Sequence, residues 1–409
     1  MTDEKNQRER GVAGILLALF VNAGSIKANP LLAWVPADLT VILGALLAVF
    51  LVVRVLRAGH LPHLVWLPIG VAGVMALGLL PRAINPYGLD KAESFFTLTL
   101  LAMLAAAVFL RSAPQLLAFL KTLAILGVIV ALLVTLMPAR VSEWSTVVTL
   151  AGTNTIATSR MILTGAIIIV MAAILTRTAA ARRIGLAALA GLMILAALNT
   201  GSRGPVLAAA IAVTLALLVA PVFARRRGRA ITAVVIVAGA GLIIASQSEG
   251  GGLARITSFL AGEEDASAGT RQLFWAVAWD RFTATPGGLG WGAFANINAV
   301  SLFAVDGVKL YPHNLILEVL LEAGWVAGML VGVLLIASLI RGVKGAVSYS
   351  TVTMLGLLIF TVLNAMLSGD INDNRLMWTV LIGVWAVQRE KAPTLPEVGK
   401  VGASSVTRA

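Results

Sequence analysis

Residues 161–200 read MILTGAIIIVMAAILTRTAAARRIGLAALAGLMILAALNT. Two uncharged apolar runs flank a short loop that carries Arg177, Arg182 and Arg183. A helix needs about 20 mostly apolar residues to cross a bilayer, and basic residues collect in the cytoplasmic loops of membrane proteins. The stretch therefore predicts two membrane-spanning helices joined by a cytoplasmic turn.

The same pattern covers most of the chain. Of its 409 residues, 59% are hydrophobic and 12% are charged, and the mean hydropathy is +0.94. A soluble domain carries about 25% charged residues, so the composition excludes soluble, disordered, fibrous and coiled-coil proteins. The strict alternation of a transmembrane β-barrel is missing from the sequence. Because the sequence has no cysteine, thiol catalysis, zinc–thiolate sites and disulfides are excluded as well.

We predict an all-α polytopic membrane protein with about twelve transmembrane helices. The predicted spans are 11–28, 36–56, 62–81, 93–110, 115–137, 159–176, 184–200, 204–223, 230–246, 314–340, 347–368 and 375–388. Four regions follow from these spans, namely an N-terminal bundle of nine helices at 1–246, a long outer loop at 247–313, C-terminal helices at 314–390 and a tail at 391–409.

The distribution of the 31 Lys and Arg residues predicts the orientation. With the N-terminus in the cytoplasm, 20 of them lie on the cytoplasmic side and 11 on the outer side, and both termini are cytoplasmic. The preference of basic residues for the cytoplasmic side does not explain the outer cations. Several of them lie at predicted helix ends, where burying a charge is costly. They indicate an anionic ligand on the outer side, although single residues could instead snorkel to lipid headgroups.

The long outer loop contains a predicted amphipathic helix. Thr270 is a candidate N-cap for a helix from Arg271 to about Phe282, and Trp275 and Trp279 lie on one of its faces. Such a helix suits the membrane–water boundary. The glycine-rich segment that follows, 286–292, lacks the Lys-Ser/Thr of a nucleotide-binding loop, so we interpret it as a tight turn packed against the membrane surface.

Of the three histidines, one is a candidate for chemistry. His60 and His63 fall in a predicted cytoplasmic loop and are interpreted as structural. His313 precedes a span on the outer side, where an imidazole of near-neutral pKa could accept a proton from a hydroxyl. The alternative is a His that caps the helix or lies at the interface.

Three outer cations are candidate ligands for an anion. Arg203 lies in the turn Asn199-Thr200-Gly201-Ser202-Arg203-Gly204-Pro205, just before a predicted helix, whose N-terminus adds a partial positive charge. Arg160 begins another span, and Lys91 follows a short polar segment. Guanidinium groups suit bidentate phosphate contacts, so the outer face suits a diphosphate held at membrane depth.

The last outer turn carries Asp370, Asp373 and Arg375. The two carboxylates could bind a metal together. The preferred interpretation is that these charges pair with one another or orient His313, since buried charges need partners.

Several of these segments, taken in order, resemble the O-antigen ligase and O-antigen polymerase superfamily. The matching motifs are Tyr87-Gly88 before Lys91, Asn-x-Ile-x-x-x-Arg at 154–160, Thr-Gly-Ser-Arg-Gly at 200–204, Gly269-Thr270-Arg271 with the glycine-rich turn, His313-Asn314 before Leu320 to Gly324, and Asp373-Asn374-Arg375.

The resemblance implies a GT-C-like glycosyltransferase of the bacterial inner membrane with its active site facing the periplasm. The donor would be a glycan on undecaprenyl diphosphate. The acceptor would be a sugar hydroxyl of lipid A-core in a ligase, or another lipid-linked repeat in a polymerase.

By motif position, the resemblance also implies residue roles. Arg203 and Arg271 would hold the diphosphate, with Arg160 and Lys91 as helpers, and His313 would activate the acceptor. The supporting residues would be Asn314, Asp370, Asp373 and Arg375. No metal or cofactor is implied, and the reaction would invert the anomeric centre.

Three functions remain as alternatives. The single long outer loop favours a ligase over a polymerase. A transporter of anionic lipids or sugars is disfavoured, because the charges crowd one face rather than the bilayer midplane. No nucleic-acid partner is expected, because the positive charge follows membrane topology.

Overall fold

A computed structural model describes residues 2–80, 85–140, 147–176, 178–220, 266–303 and 310–387. Within these ranges the chain is almost entirely helical, and the only strands are two short antiparallel segments, β1 (Ala139–Arg140) and β2 (Val148–Thr149). The all-α prediction is confirmed for this part of the chain.

The helices of the first half are α1 (Thr2–Ile26), α2 (Leu39–Ala58), α3 (Trp66–Met75), α4 (Pro86–Ser94), α5 (Leu100–Phe109), α6 (Ala113–Leu136), α7 (Thr155–Leu175), α8 (Ala180–Asn199) and α9 (Arg203–Val219). A π-helical segment, Phe95–Thr99, joins α4 to α5. The helices of the second half are α10 (Ala266–Ala284), α11 (Asn298–Ser301), α12 (Leu315–Ala323), α13 (Trp325–Gly345), α14 (Tyr349–Ala365) and α15 (Arg375–Ala386).

Six helices in the described residues are long and apolar enough to cross a membrane. They are Leu39–Ala58, Pro86–Phe109, Ala113–Leu136, Thr155–Leu175, Ala180–Asn199 and Trp325–Gly345. Shorter apolar helices are Gly11–Ile26, His63–Leu79, Arg203–Val219, Tyr349–Ala365 and Arg375–Ala386. The predicted span 230–246 and the predicted tail at 391–409 lie outside the described residues, so the number twelve stays a prediction.

Helix α7 is the most enclosed of the six, because 72% of its 18-residue apolar stretch is buried inside the protein. It packs against α6 through two glycines, and a Cβ on Gly127 would lie 2.8 Å from the Cα of Gly165. Small residues let helix backbones approach closely in an apolar environment, where packing replaces the hydrophobic effect as the driving force. By contrast, α2 is only 17% buried and presents its apolar side chains outward, as expected of a lipid-facing helix.

The turns predicted on the outer side meet at one end of the bundle. Thr153 donates a hydrogen bond to the carbonyl of Ser25, and Asn29 donates one to the carbonyl of Ala151 at 3.0 Å. The side-chain amide of Asn372 donates to the carbonyl of Lys91 at 2.8 Å. The first two contacts join the end of α1 and the turn after it to the turn before α7, and the third joins the turn before α15 to α4.

The predicted single span 314–340 is wrong in one respect. The chain breaks at Gly324, where φ is +88°, and separates α12 from α13. Apolar periodicity runs through the break, so the sequence pattern shows one helix where the backbone forms two.

Candidate active site

His313 lies at the start of α12 in an unusual backbone conformation. Its φ is +58°, the only positive φ of a non-glycine residue in the part of the chain that the structure describes. Its ring lies 4.4 Å from the ring of Tyr311 and stacks at 6.2 Å on Phe274 of α10. Its Nδ1 is buried and has no hydrogen-bond partner among the described residues. Strained backbone of this kind persists where the surroundings enforce it, often at functional sites.

Two arginines act on this imidazole. Burial, together with the positive charges of Arg271 and Arg160, lowers the pKa of His313 to about 4. The ring is therefore neutral at pH 7, with two fixed cations nearby. The three predicted site residues His313, Arg271 and Arg160 thus come together although they lie on three different elements.

Arg160 also ties α7 to the end of α14. Its Nη2 donates to the carbonyls of Ser368 at 2.7 Å and Asn364 at 3.0 Å, and its Nε donates to Oδ1 of Asn364 at 3.3 Å. A longer contact of 3.5 Å reaches Oδ1 of Asn374. These acceptors are neutral, so they fix the guanidinium without cancelling its charge.

The turn before α15 is held by its own carboxylate. Oδ1 of Asp370 accepts backbone hydrogen bonds from Asn372 at 2.8 Å and Asp373 at 2.7 Å. Burial, together with the nearby carboxylate of Asp370, raises the pKa of Asp373 to about 6. These bonds favour the interpretation that the two carboxylates engage their own turn, and a metal role for them stays a prediction.

Of the supporting residues, Asn314 caps a helix and Arg375 is the first residue of α15. Arg375 is 9% exposed, and its guanidinium lies 5.4 Å from the ring centre of Phe20. Asn314 caps α12, because its Oδ1 accepts from the backbone N–H of Leu317 at 3.1 Å. Its Nδ2 donates to the carbonyl of Met366 at 3.3 Å, which links His313 to the end of α14.

Lys91 lies in a buried ion triad that the motifs do not indicate. Its Nζ contacts Oε1 of Glu318 at 2.5 Å and Oε1 of Glu322 at 2.6 Å, and all three side chains are at most 2% exposed. The two glutamates lie at i and i+4 on α12, one turn apart on the same face, which is the signal available in the sequence. The triad thus links Lys91 of α4 to α12, and the predicted contact of Lys91 with a diphosphate stays a prediction.

The predicted outer helix exists but begins earlier than expected. It starts at Ala266, so Thr270 lies inside it and is not its N-cap. Phe274 and Ala278 are buried against a small apolar cluster with Phe294, whereas Trp279 is 54% exposed. One face therefore packs on the protein and supports the ring stack with His313.

We expected the glycine-rich turn to pack against the membrane surface. In the structure it packs against other parts of the protein instead. Backbone N–H groups of Leu289 and Gly290 donate to the carbonyls of Leu321 and Glu322 at 2.5 and 3.1 Å. Trp291 is 1% exposed, and its Nε1 donates to the carbonyl of Met75 at 3.3 Å. The segment packs closely against the break between α12 and α13, since a Cβ on Gly288 would lie 2.6 Å from the backbone nitrogen of Gly324.

Arg203 begins α9 and is half-buried. Since α7, α8 and α9 follow one another by short turns, α9 starts at the same end of the bundle as Arg160. A role for Arg203 in binding the diphosphate stays a prediction.

Other predicted features fall outside the described residues. They include the loop start at 247–265 and Lys309. Within the described ranges, no group of three or more His, Asp or Glu side chains is placed to hold a metal. The metal-independent mechanism stays a prediction.

A family model described as O-antigen ligase matches residues 188–332. The matched segment runs from α8 to α13 and includes Arg203, Arg271 and His313. No curated protein and no solved structure matches the chain.

Proposed function

We propose that this protein belongs to the O-antigen ligase superfamily, as the match over residues 188–332 supports, and that it acts as a ligase. It transfers an O-antigen glycan from undecaprenyl diphosphate to a sugar hydroxyl of lipid A-core, at the periplasmic face of the bacterial inner membrane. The observation that carries the proposal is the partly buried, neutral imidazole of His313 beside the cations Arg271 and Arg160.

The arginines bind and stabilise the leaving diphosphate. Arg271 and Arg203 hold its oxygens, and Arg160 adds a fixed charge behind them. Negative charge grows on the phosphate oxygen as the glycosidic C–O bond breaks. Preorganised guanidinium groups stabilise this charge more in the transition state than in the ground state.

His313 accepts the proton of the acceptor hydroxyl. As the hydroxyl oxygen attacks the anomeric carbon, the proton passes to the imidazole and the undecaprenyl diphosphate leaves from the opposite face. A single displacement of this kind inverts the anomeric centre. A bound diphosphate offsets the charges of the two arginines, so it raises the pKa of His313 and makes the ring a better base when donor is present.

Tyr311 complements this arrangement. Burial raises its pKa, and the carboxylates of Asp373 and Asp370 raise it further. Its hydroxyl therefore stays protonated and serves as a hydrogen-bond donor beside the imidazole.

Reconstitution with a defined donor tests the proposal. The purified protein in liposomes is given a labelled glycan on undecaprenyl diphosphate with either lipid A-core or a second lipid-linked repeat. A ligase labels lipid A-core. Labelled longer lipid-linked glycans alone would identify a polymerase, and movement of the donor across the bilayer without transfer would identify a transporter.

A chelator separates the metal-independent mechanism from its alternative. Transfer is expected to survive an excess of chelator, because cations of the protein itself stabilise the leaving group. Loss of transfer under chelator, with recovery on adding a divalent cation, would indicate a metal at Asp370 and Asp373 instead.

A further inference from the structure

A cavity lies at the helix ends opposite to His313. It has a volume of about 260 Å³ and opens between the end of α2, the end of α5 and the start of α6. Its lining includes Arg54, His60, Arg111, Ser112 and Gln115. The proposed transfer reaction makes no use of it.

The cavity carries positive charge. Arg54 and Arg111 line it, and no carboxylate does among the lining residues that the structure describes. In the part of the chain that the structure describes, neither guanidinium forms an ion pair. Arg54 of α2 and Arg111 of the turn between α5 and α6 line the same cavity, and together they create a potential that attracts an anion.

The start of α6 supplies donors to the same cavity. Ser112 occupies the N-cap position, but its hydroxyl makes no capping hydrogen bond. Its Oγ is buried and has no partner within the described residues. A buried polar group without a partner is costly, and the N-terminus of a 24-residue helix adds free N–H groups and partial positive charge. An anion with several acceptor oxygens would satisfy both features.

The surroundings of the cavity favour a lipid as the source of that anion. Val55, Pro62 and Val108 also line the cavity, and Phe50, one turn before Arg54 on the same face of α2, is 40% exposed, so apolar surface adjoins the two arginines. Basic pockets between membrane helices bind anionic headgroups. We propose that this cavity binds the phosphate-bearing headgroup of an anionic phospholipid, whose acyl chains lie against the exposed face of α2.

Native mass spectrometry of the full-length protein tests the proposal. The probes are phosphatidylglycerol and zwitterionic phosphatidylethanolamine. The wild type is expected to retain phosphatidylglycerol preferentially. Arg54→Gln/Arg111→Gln should weaken this retention by about 30-fold, since each cation near the membrane surface contributes to binding anionic lipid. Ser112→Ala should weaken it less.

A matched double variant controls for loss of charge. Arg182→Gln/Arg183→Gln removes the same charge from exposed positions on α8, away from the cavity, and should retain the lipid as the wild type does. Equal loss in both double variants, or equal retention of the two lipids by the wild type, would overturn the proposal.

Thermal unfolding separates a lipid from a soluble anion and also checks folding of the variants. Phosphatidylglycerol should raise the unfolding midpoint of the wild type but not that of Arg54→Gln/Arg111→Gln, because only a ligand of the folded state stabilises it. Inorganic phosphate should have no such effect. Stabilisation by inorganic phosphate equal to that by the lipid would overturn the assignment to a lipid.

Discussion

The protonation state of His313 follows from its neighbours. The ring is partly buried beside Phe274 and Tyr311 and close to the charges of Arg271 and Arg160, which gives it a pKa of about 4. An unperturbed imidazole has a pKa of about 6.5. The folded site thus keeps the ring neutral between pH 4 and pH 6.5, where an unperturbed histidine would carry charge.

A single-histidine variant makes this pKa measurable. After His60→Gln and His63→Gln, NMR titration of labelled histidine reports His313 alone. We expect a pKa near 4, and a rise toward the ordinary value in Arg271→Gln, because one repelling charge is gone. Arg281→Gln, an exposed position on the same helix, is the control and should leave the pKa unchanged. Titration of the unmodified site near 6.5 would contradict the account.

The ion triad is the second residue-level feature with a measurable consequence. Lys91→Met leaves Glu318 and Glu322 buried without their cation. Removing one partner of a buried pair costs about 3–5 kcal/mol, so we expect a clearly lower unfolding midpoint in detergent. Lys91→Met combined with Glu318→Gln and Glu322→Gln should recover much of the loss. No recovery would show that the charges are not the reason for the instability.

Among the elements, the break between α12 and α13 depends on close backbone contact. A Cβ on Gly324 would lie 2.8 Å from the carbonyl carbon of Gly287, and the N–H of Trp325 donates to the carbonyl of Pro286 at 2.9 Å. The glycine-rich turn and the break therefore fit each other. Since α12 carries both glutamates of the triad and follows His313, this fit also positions the site.

An alanine at the break tests this fit. Gly324→Ala meets backbone atoms and a positive φ, which costs about 1–3 kcal/mol, so the unfolding midpoint should fall. Gly332→Ala on α13 is the control, because a Cβ there meets nothing within 4 Å and alanine favours a helix. Equal midpoints for the two variants would show that the break does not need a glycine.

The sequence predicts most helices but not their interruptions. Apolar runs predict α2, α6, α7 and α8 to within a few residues. The break at Gly324 and the π-helical segment at Phe95–Thr99 escape prediction, because apolar periodicity continues through both. Pairing of α12 with the glycine-rich turn is a long-range contact that no local pattern encodes.

For the whole molecule, the bundle gathers the predicted outer turns at one end. Motif order predicts that His313, Arg271 and Arg160 share a site. In the structure the charges of the two arginines act on the imidazole of His313. The sequence does not predict that two glutamates pair with Lys91, nor that the ring of Phe274 stacks on His313. Both depend on how α10 and α12 pack, which composition and spacing leave undetermined.

The predicted orientation is open to direct labelling, because the chain has no cysteine. Arg182→Cys lies in the turn predicted to be cytoplasmic, and Asp280→Cys lies on α10, which is predicted to be periplasmic. A membrane-impermeant thiol reagent applied to spheroplasts should label the second position at once and the first only after lysis. The reverse pattern would invert the topology and move the site to the cytoplasmic face.

The central claim is that Arg271 holds the diphosphate while His313 acts on the acceptor. The most direct measurement compares donor binding and glycan transfer in Arg271→Ala, His313→Ala and the control Arg281→Ala, all reconstituted in liposomes. The account predicts that Arg271→Ala loses both donor binding and transfer, that His313→Ala binds donor but does not transfer, and that the control does both. Wild-type transfer by Arg271→Ala or by His313→Ala would contradict it.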